Sequence, residues 1–476
     1  MTSAMPNVVA PSEGSRRKRT VLIFAYECAP YNKPESTIGA QRPAQFAKYL
    51  PEFGWRAIVI CCDARKRDRG WLPNEREEIA AAVDEDTCES RVVATPSLPH
   101  DGVLDRAWRA TRSTVLPGAV IARKALTFAR FFSGDYSRSW QPCARDAARL
   151  IAQGTRIDAC IGEHSPDAGI FLARWFSKTY GAPWVADFRD PMLFGFPPRV
   201  RPLLEPFARR MLGSASHIVN VTPHCVRLDE ALFKRPATLI TNGFDPDEFP
   251  NIALSRNRQN FRIAYTGNVW LLATLRLFLD GLSQFRSRIG EHRFRVVRFV
   301  YRGVAAAHVE REAREAQLQS AVDCAGHIEH GAAVSLIRSA HLLLVFSTSA
   351  VQHRDPYWAQ GVYPGKTFEY LGARRPIMCV PGDEASLDAL LRDTRAGVSL
   401  SSAASIATYL ESAFQAWERD GDIPSCDNEQ LIGNFSRRTG AERLARILDR
   451  VIADRSTHCD STIEHVYTLS HSTISS

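Results

Sequence analysis

The sequence predicts an α/β protein made of two doubly wound domains that face each other across a cleft. Three observations lead there. The chain has 476 residues, more than one core of ordinary size accommodates, so two domains are expected. Short apolar runs alternate with segments of helical periodicity, the pattern of strand–helix–strand units that build parallel sheets. That alternation occurs twice, on either side of a polar stretch from Asp245 to Asn260. The expected organisation is a disordered basic leader over 1–19, a first domain over 20–250 and a second over 251–435. A helix over 436–453 then crosses back to brace the first domain, and a disordered Ser/Thr-rich tail covers 454–476.

In the first series, Thr20 to Tyr26 reads as a buried strand, followed by a long loop and a helix from Ala40 to Gly54 with Gly39 at its mouth. Ala57 to Cys62 is the next strand. From Val103 to Phe132 the chain is Arg-rich and amphipathic, suited either to an acidic membrane surface or to a solvated helix pair at the domain edge. A helix over Ala144–Ala152 leads to the strand Asp158–Gly162 and a polar loop that holds His164. After a helix over Ile170–Tyr180, Pro183 to Ala186 is a strand with Asp187, Arg189 and Asp190 at its carboxyl end, where parallel sheets place their chemistry. Strands at Ser216–Val221 and Ala237–Thr241 close the series, the latter ended by the turn pair Asn242-Gly243.

The second series runs through the strand Phe261–Thr266, the pair Gly267-Asn268, a helix over Leu275–Phe285 and the strand Phe294–Tyr301. A helix near Glu310, the turn from Gly326 to Gly331 and the strand Leu342–Phe346 follow. Then comes YPGKTFEYLGARRPIMCVP, Tyr363 to Pro381. Pro364 and Gly365 open a helix whose free N–H groups and positive end favour an anion. Lys366 and Glu369, three apart, share one face of it, so a cation for phosphate and a carboxylate for sugar hydroxyls stand side by side. Ile377 to Val380 is the strand after it.

Composition narrows the function classes. The net charge of +8 suits anionic ligands or an anionic surface, and no motif for nucleic-acid recognition is present. Eleven cysteines include the adjacent Cys61 and Cys62 but no C-x-x-C, so the expectation is reduced core thiols in a cytoplasmic protein, without structural zinc. No apolar run reaches the roughly 20 residues that span a bilayer.

Together the first strand with its loop and AQR helix, PWVADFRDP, ITNGFD, IAYTGN, GHIEH and PGKTFEYLGARRPI resemble, in content and order, a GT-B glycosyltransferase. The likeness is to the large retaining family 4, typified by bacterial polysaccharide and lipopolysaccharide synthesis enzymes. It implies two Rossmann-like domains, the first on the acceptor side and the second binding a sugar nucleotide, with no cofactor and no metal. It implies Glu369 at the ribose, Lys366 and Gly365 near the diphosphate, and Gly267 and Asn268 facing the phosphates. It places Gly39 opposite them and His327 and Ile328, in the turn from Gly326 to His330, beside the base. The chain departs from the pattern at Gly361, where the first of two glutamates belongs, at Asn268 to Leu272, which supply no cation, and at Arg189, where many members carry histidine. Lys366, Arg189 and Arg302 are the candidate replacement cations.

The reaction implied is transfer of a sugar from a nucleoside diphosphate sugar to a hydroxyl of a glycan or a lipid-linked acceptor, with peripheral contact to the inner membrane face for the latter. The acceptor proton passes to the leaving phosphate or to a carboxylate such as Asp187 or Asp190, with His164 a further candidate in the acceptor cleft. Two other readings stand beside it. A non-hydrolysing sugar-nucleotide epimerase shares the two-domain plan, and a non-catalytic GT-B-like partner protein would account for the missing donor contacts.

Overall fold

The computed structural model describes residues 18–32, 37–82, 89–99, 135–193, 198–250, 258–269, 271–347, 362–424 and 428–471, with Phe196 and scattered positions between 107 and 129. The Arg-rich stretch over 103–132 therefore lies largely outside the described residues, as do the leader to residue 17 and Gly361.

In the first sheet, β1 (Arg19–Phe24), β2 (Trp55–Cys62), β3 (Arg91–Thr95), β4 (Ala159–His164), β5 (Trp184–Phe188), β6 (His217–Asn220) and β7 (Ala237–Leu239) lie in the order β3-β2-β1-β4-β5-β6-β7. In the second, β8 (Phe261–Thr266), β9 (Val297–Arg302), β10 (Val322–Ala325), β11 (Leu342–Phe346), β12 (Ile377–Val380) and β13 (Gly397–Ser399) repeat the plan as β10-β9-β8-β11-β12-β13. Each pairing described is parallel, from β1 on β2 to β12 on β13. Both sheets reverse their winding at one point, between β1 and β4 and between β8 and β11, which opens a crevice at the carboxyl ends there.

The strands read as unbroken apolar runs because both faces are covered. In β1, Leu22 and Phe24 pack with Ala144, Ala147 and Phe176 on one side. On the other side Val21 and Ile23 meet Phe46 of the first helix and Leu444 and Leu448 of the last. That last helix, Arg437–His471, starts beside the second domain and buries its apolar stripe on the first, the crossing the sequence predicts. It runs past residue 453, since no proline or glycine follows Gly440 to end it sooner. β3, β10 and β13 have no counterpart in the sequence reading. They are short edge or near-edge strands, mostly half-exposed, and so lack the apolar run that marks an inner strand.

The two domains meet where the chain crosses between them twice. Phe244 and Ser436 form a parallel bridge, and the Arg437 N–H donates to the Phe244 carbonyl at 2.9 Å. Gly243 fits against this crossing so closely that a Cβ there would lie 2.5 Å from the Phe435 carbonyl. Lys48 and Tyr49 of the first helix hold Asp245 at 2.7 and 2.5 Å. Among the described residues no helix is long and apolar enough to cross a membrane. The cysteines whose side chains are described are unpaired thiols, buried except for the half-exposed Cys324.

Candidate functional site

In the second domain, Gly365 caps the helix Lys366–Ala373. Phe368, Tyr370 and Leu371 anchor that helix in the core, and the Tyr370 hydroxyl accepts the Thr266 N–H at the end of β8. The anchoring fixes Lys366. Its Nζ stands 3.7 Å from the Tyr265 ring centroid and would touch, at 2.9 Å, a Cβ built on Gly267. Gly267 has φ +110°, a conformation open to glycine, so backbone and ammonium approach each other where a side chain would intervene. Lys366 is buried and has no ion pair or hydrogen bond among the described residues. Burial pushes its pKa down to about 7, with Glu369 opposing the shift.

Glu369, one turn along, is half-buried and also free of a hydrogen bond among the described residues. Burial raises its pKa, against the pull of His330 and Arg437. His330 itself is engaged, 2.9 Å from Glu248, whose hydrogen bond raises the imidazole's pKa. Of the other residues assigned to this side, Asn268 is exposed and its carbonyl accepts the Tyr265 hydroxyl at 2.5 Å. His327 is exposed and Ile328 half-buried, in the loop between β10 and the helix His330–Ser339. Arg302 forks onto Asp323 at 3.0 and 2.9 Å, so it is a paired cation.

The first domain places its residues differently from the sequence reading. Asp187 lies inside β5, not beyond it, and both its oxygens receive a buried Arg42 at 2.7 and 2.8 Å. Arg42, in the AQR helix, also donates to the Thr241 carbonyl at 3.1 Å and so joins three segments. His164 ends β4 and is buried, rather than standing in a polar loop, with Nδ1 2.8 Å from Asp167. Gly39 lies within the helix Thr37–Tyr49, and the Arg189 guanidinium rests on it, 1.7 Å from where a Cβ would be. Arg189 also donates to the Ser165 carbonyl and faces Glu163 at 3.3 Å. Burial lifts the Glu163 pKa to about 7, partly offset by Arg189. Asp190, just past β5, is half-buried and has no ion pair among the described residues.

Four charged residues here escaped the sequence reading as site candidates: Arg42, Glu163, Glu248 and Arg437. The AQR segment pointed toward Arg42, whereas nothing in the local pattern distinguishes Arg437 from its neighbour Arg438. Among the described residues no group of three or more His, Cys, Asp or Glu converges as a metal site would.

No protein-family model and no curated protein matches the sequence. Solved structures do. HepE of Anabaena bound to UDP matches with TM-score 0.54 at 11% identity over 91% of this chain and 100% of that one. The same protein bound to UDP-glucose matches with TM-score 0.53 at 11% identity, over 90% and 99%. The N-terminal domain of Candida albicans trehalose-6-phosphate phosphatase matches with TM-score 0.52 at 10% identity, over 93% and 96%. This chain has the GT-B fold. The likeness runs over both doubly wound domains.

Proposed function

We propose that the chain is a glycosyltransferase that moves a sugar from a nucleoside diphosphate sugar to a hydroxyl of a glycan or lipid-linked acceptor, with retention, as in the family 4 enzymes it resembles. Lys366 carries this reading. A buried lysine without a counter-ion is unfavourable in the empty protein, and a diphosphate at the helix N-terminus and Gly267 relieves it. Glu369, the unpartnered carboxylate one turn away, accepts hydrogen bonds from ribose hydroxyls. Structures of HepE with UDP and UDP-glucose, on the same fold, support a nucleotide donor.

In the reaction the bond from the anomeric carbon to the diphosphate oxygen breaks, its electrons go to the leaving diphosphate, and the acceptor oxygen bonds to that carbon. Lys366 and the helix N–H groups stabilise the growing negative charge. The acceptor proton passes to the leaving phosphate or to Asp190. Asp187 suits that task poorly, because Arg42 occupies both its oxygens. On this reading the cluster of Glu163, His164, Asp167 and Arg189, at the ends of β4 and β5, belongs to the acceptor side. Synthesis of surface polysaccharide, at the inner face of a membrane and without a metal, is the setting this reading implies.

The test is incubation of the protein with UDP-, GDP- and dTDP-sugars, with and without hydroxyl acceptors, read by nucleoside diphosphate release and by NMR of the anomeric carbon. Acceptor-dependent release with the donor's configuration kept supports the proposal. Conversion of the donor to an epimer without acceptor overturns it in favour of an epimerase, and no release from any donor overturns it in favour of a partner protein.

A further inference from the structure

Arg437 opens the crossing helix at the junction of the two domains, and its place is fixed by the backbone. Its N–H is bonded to Phe244, and it follows Ser436 in the bridge that joins the two crossings. The side chain is half-buried and so not sealed in the core. Four charged groups surround it: Glu369 on the motif helix, Asp245 and Glu248 on the segment leaving the first domain, and Arg42. Three of the four already have partners. Asp245 is held by Lys48 and Tyr49, Glu248 by His330, and Arg42 by Asp187. Arg437 and Glu369 remain, and neither has a hydrogen bond or ion pair for its side chain among the described residues. A guanidinium carries five donors, and those of Arg437 make no side-chain hydrogen bond within the described residues, so they are available to a ligand. Burial first, and then repulsion from Arg42, depress its pKa to about 10, against the pull of Glu369, Asp245 and Glu248.

The segment after β8 supplies no cation, and the arginine forked onto Asp323 is engaged elsewhere. We propose that Arg437 is a donor-binding residue whose guanidinium takes the non-bridging oxygens of the nucleoside diphosphate, beside the ribose held by Glu369. A planar fork matches phosphate oxygens two at a time, which an ammonium does not. Because this arginine stands on the helix that returns to the first domain, the ligand in the second domain is gripped from the junction itself. The inference rests on the sugar-nucleotide reading and adds to it a third contact, from an element outside the second sheet.

The experiment is calorimetric titration of the full chain with UDP, GDP and dTDP, and with the monophosphate of whichever base binds best, for the parent, Arg437→Ala and Arg437→Lys. Arg437→Ala is expected to weaken the diphosphate at least tenfold and the monophosphate less than threefold, with Arg437→Lys between parent and alanine. An unchanged diphosphate affinity overturns the inference alone. So does an equal loss for both nucleotides with a lowered melting temperature, which marks a structural arginine. No nucleotide binding by the parent overturns the proposed function and this inference with it.

Discussion

The two crevices are built from the same sheet plan, yet they treat charge in opposite ways. At the strand ends of the first domain charges face charges within the protein: Arg42 on Asp187, Arg189 toward Glu163, His164 on Asp167. In the second, Lys366 is buried without an ion pair, and the half-buried Glu369 and, at the junction, Arg437 make no side-chain hydrogen bond or ion pair among the described residues. A buried pair whose members satisfy each other holds structure together, and breaking it leaves an uncompensated charge. Unpaired charges at a helix N-terminus cost stability in the empty protein and so point to a ligand outside the chain. The Arg42–Asp187 pair thus reads as preformed scaffold, while Glu163, lifted to about 7 by burial, is only partly compensated by Arg189; on the proposed reading a donor would complete the unpaired charges of the second domain.

Breaking the paired side gives the largest expected effect on stability. Arg42→Ala leaves Asp187 buried without its partner and removes the tie to Thr241, so denaturant unfolding should show a loss of about 3–5 kcal/mol. The unpaired side should respond in the opposite sense. Lys366→Met removes a desolvated charge and should stabilise the ligand-free protein by about 1–2 kcal/mol at pH 7, measured the same way, while weakening nucleotide binding about tenfold or more. A loss of stability in both variants would erase the distinction between the two domains.

The titration of Lys366 sharpens the comparison. Its folded pKa of about 7 lies below the unfolded value of 10.5, so the folded state binds fewer protons between them and the stability cost is relieved as pH rises through that window. On the proposed reading, diphosphate binding requires the protonated amine. Affinity should therefore fall between pH 7.5 and 9, by up to about tenfold per unit, and the slope should vanish in Lys366→Ala; titrations at several pH values check this. The smallest effect is expected at Arg302. Since Asp323 already holds its guanidinium, Arg302→Ala should change nucleotide affinity less than about threefold in the same assay.

The inner strands were legible in the sequence because a sheet covered on both faces needs unbroken apolar runs. Phe261–Thr266, Leu342–Phe346 and Ile377–Val380 occur with the bounds the sequence predicts. The edge strands β3 and β10 and the short β13 were not legible, since half-exposed residues carry no such run. Lys366 and Glu369 could be placed together from their spacing alone, because a helix brings residues three apart onto one face. Their lack of partners could not be read that way, nor could the pairing of Asp187 with Arg42, 145 positions away. His164 shows the same limit. Polar residues suggested a loop, but β4 extends through Glu163 and His164, whose side chains find Arg189 and Asp167 only in the folded chain.

The central claim is that the donor site lies at Lys366 and Glu369. Calorimetric titration of the parent, Lys366→Ala and Glu369→Gln with UDP, GDP, dTDP and CMP tests it most directly. The account predicts selective binding of one diphosphate, weakened about tenfold or more by each substitution. Parent-like binding in both variants, or no binding by the parent, would contradict it.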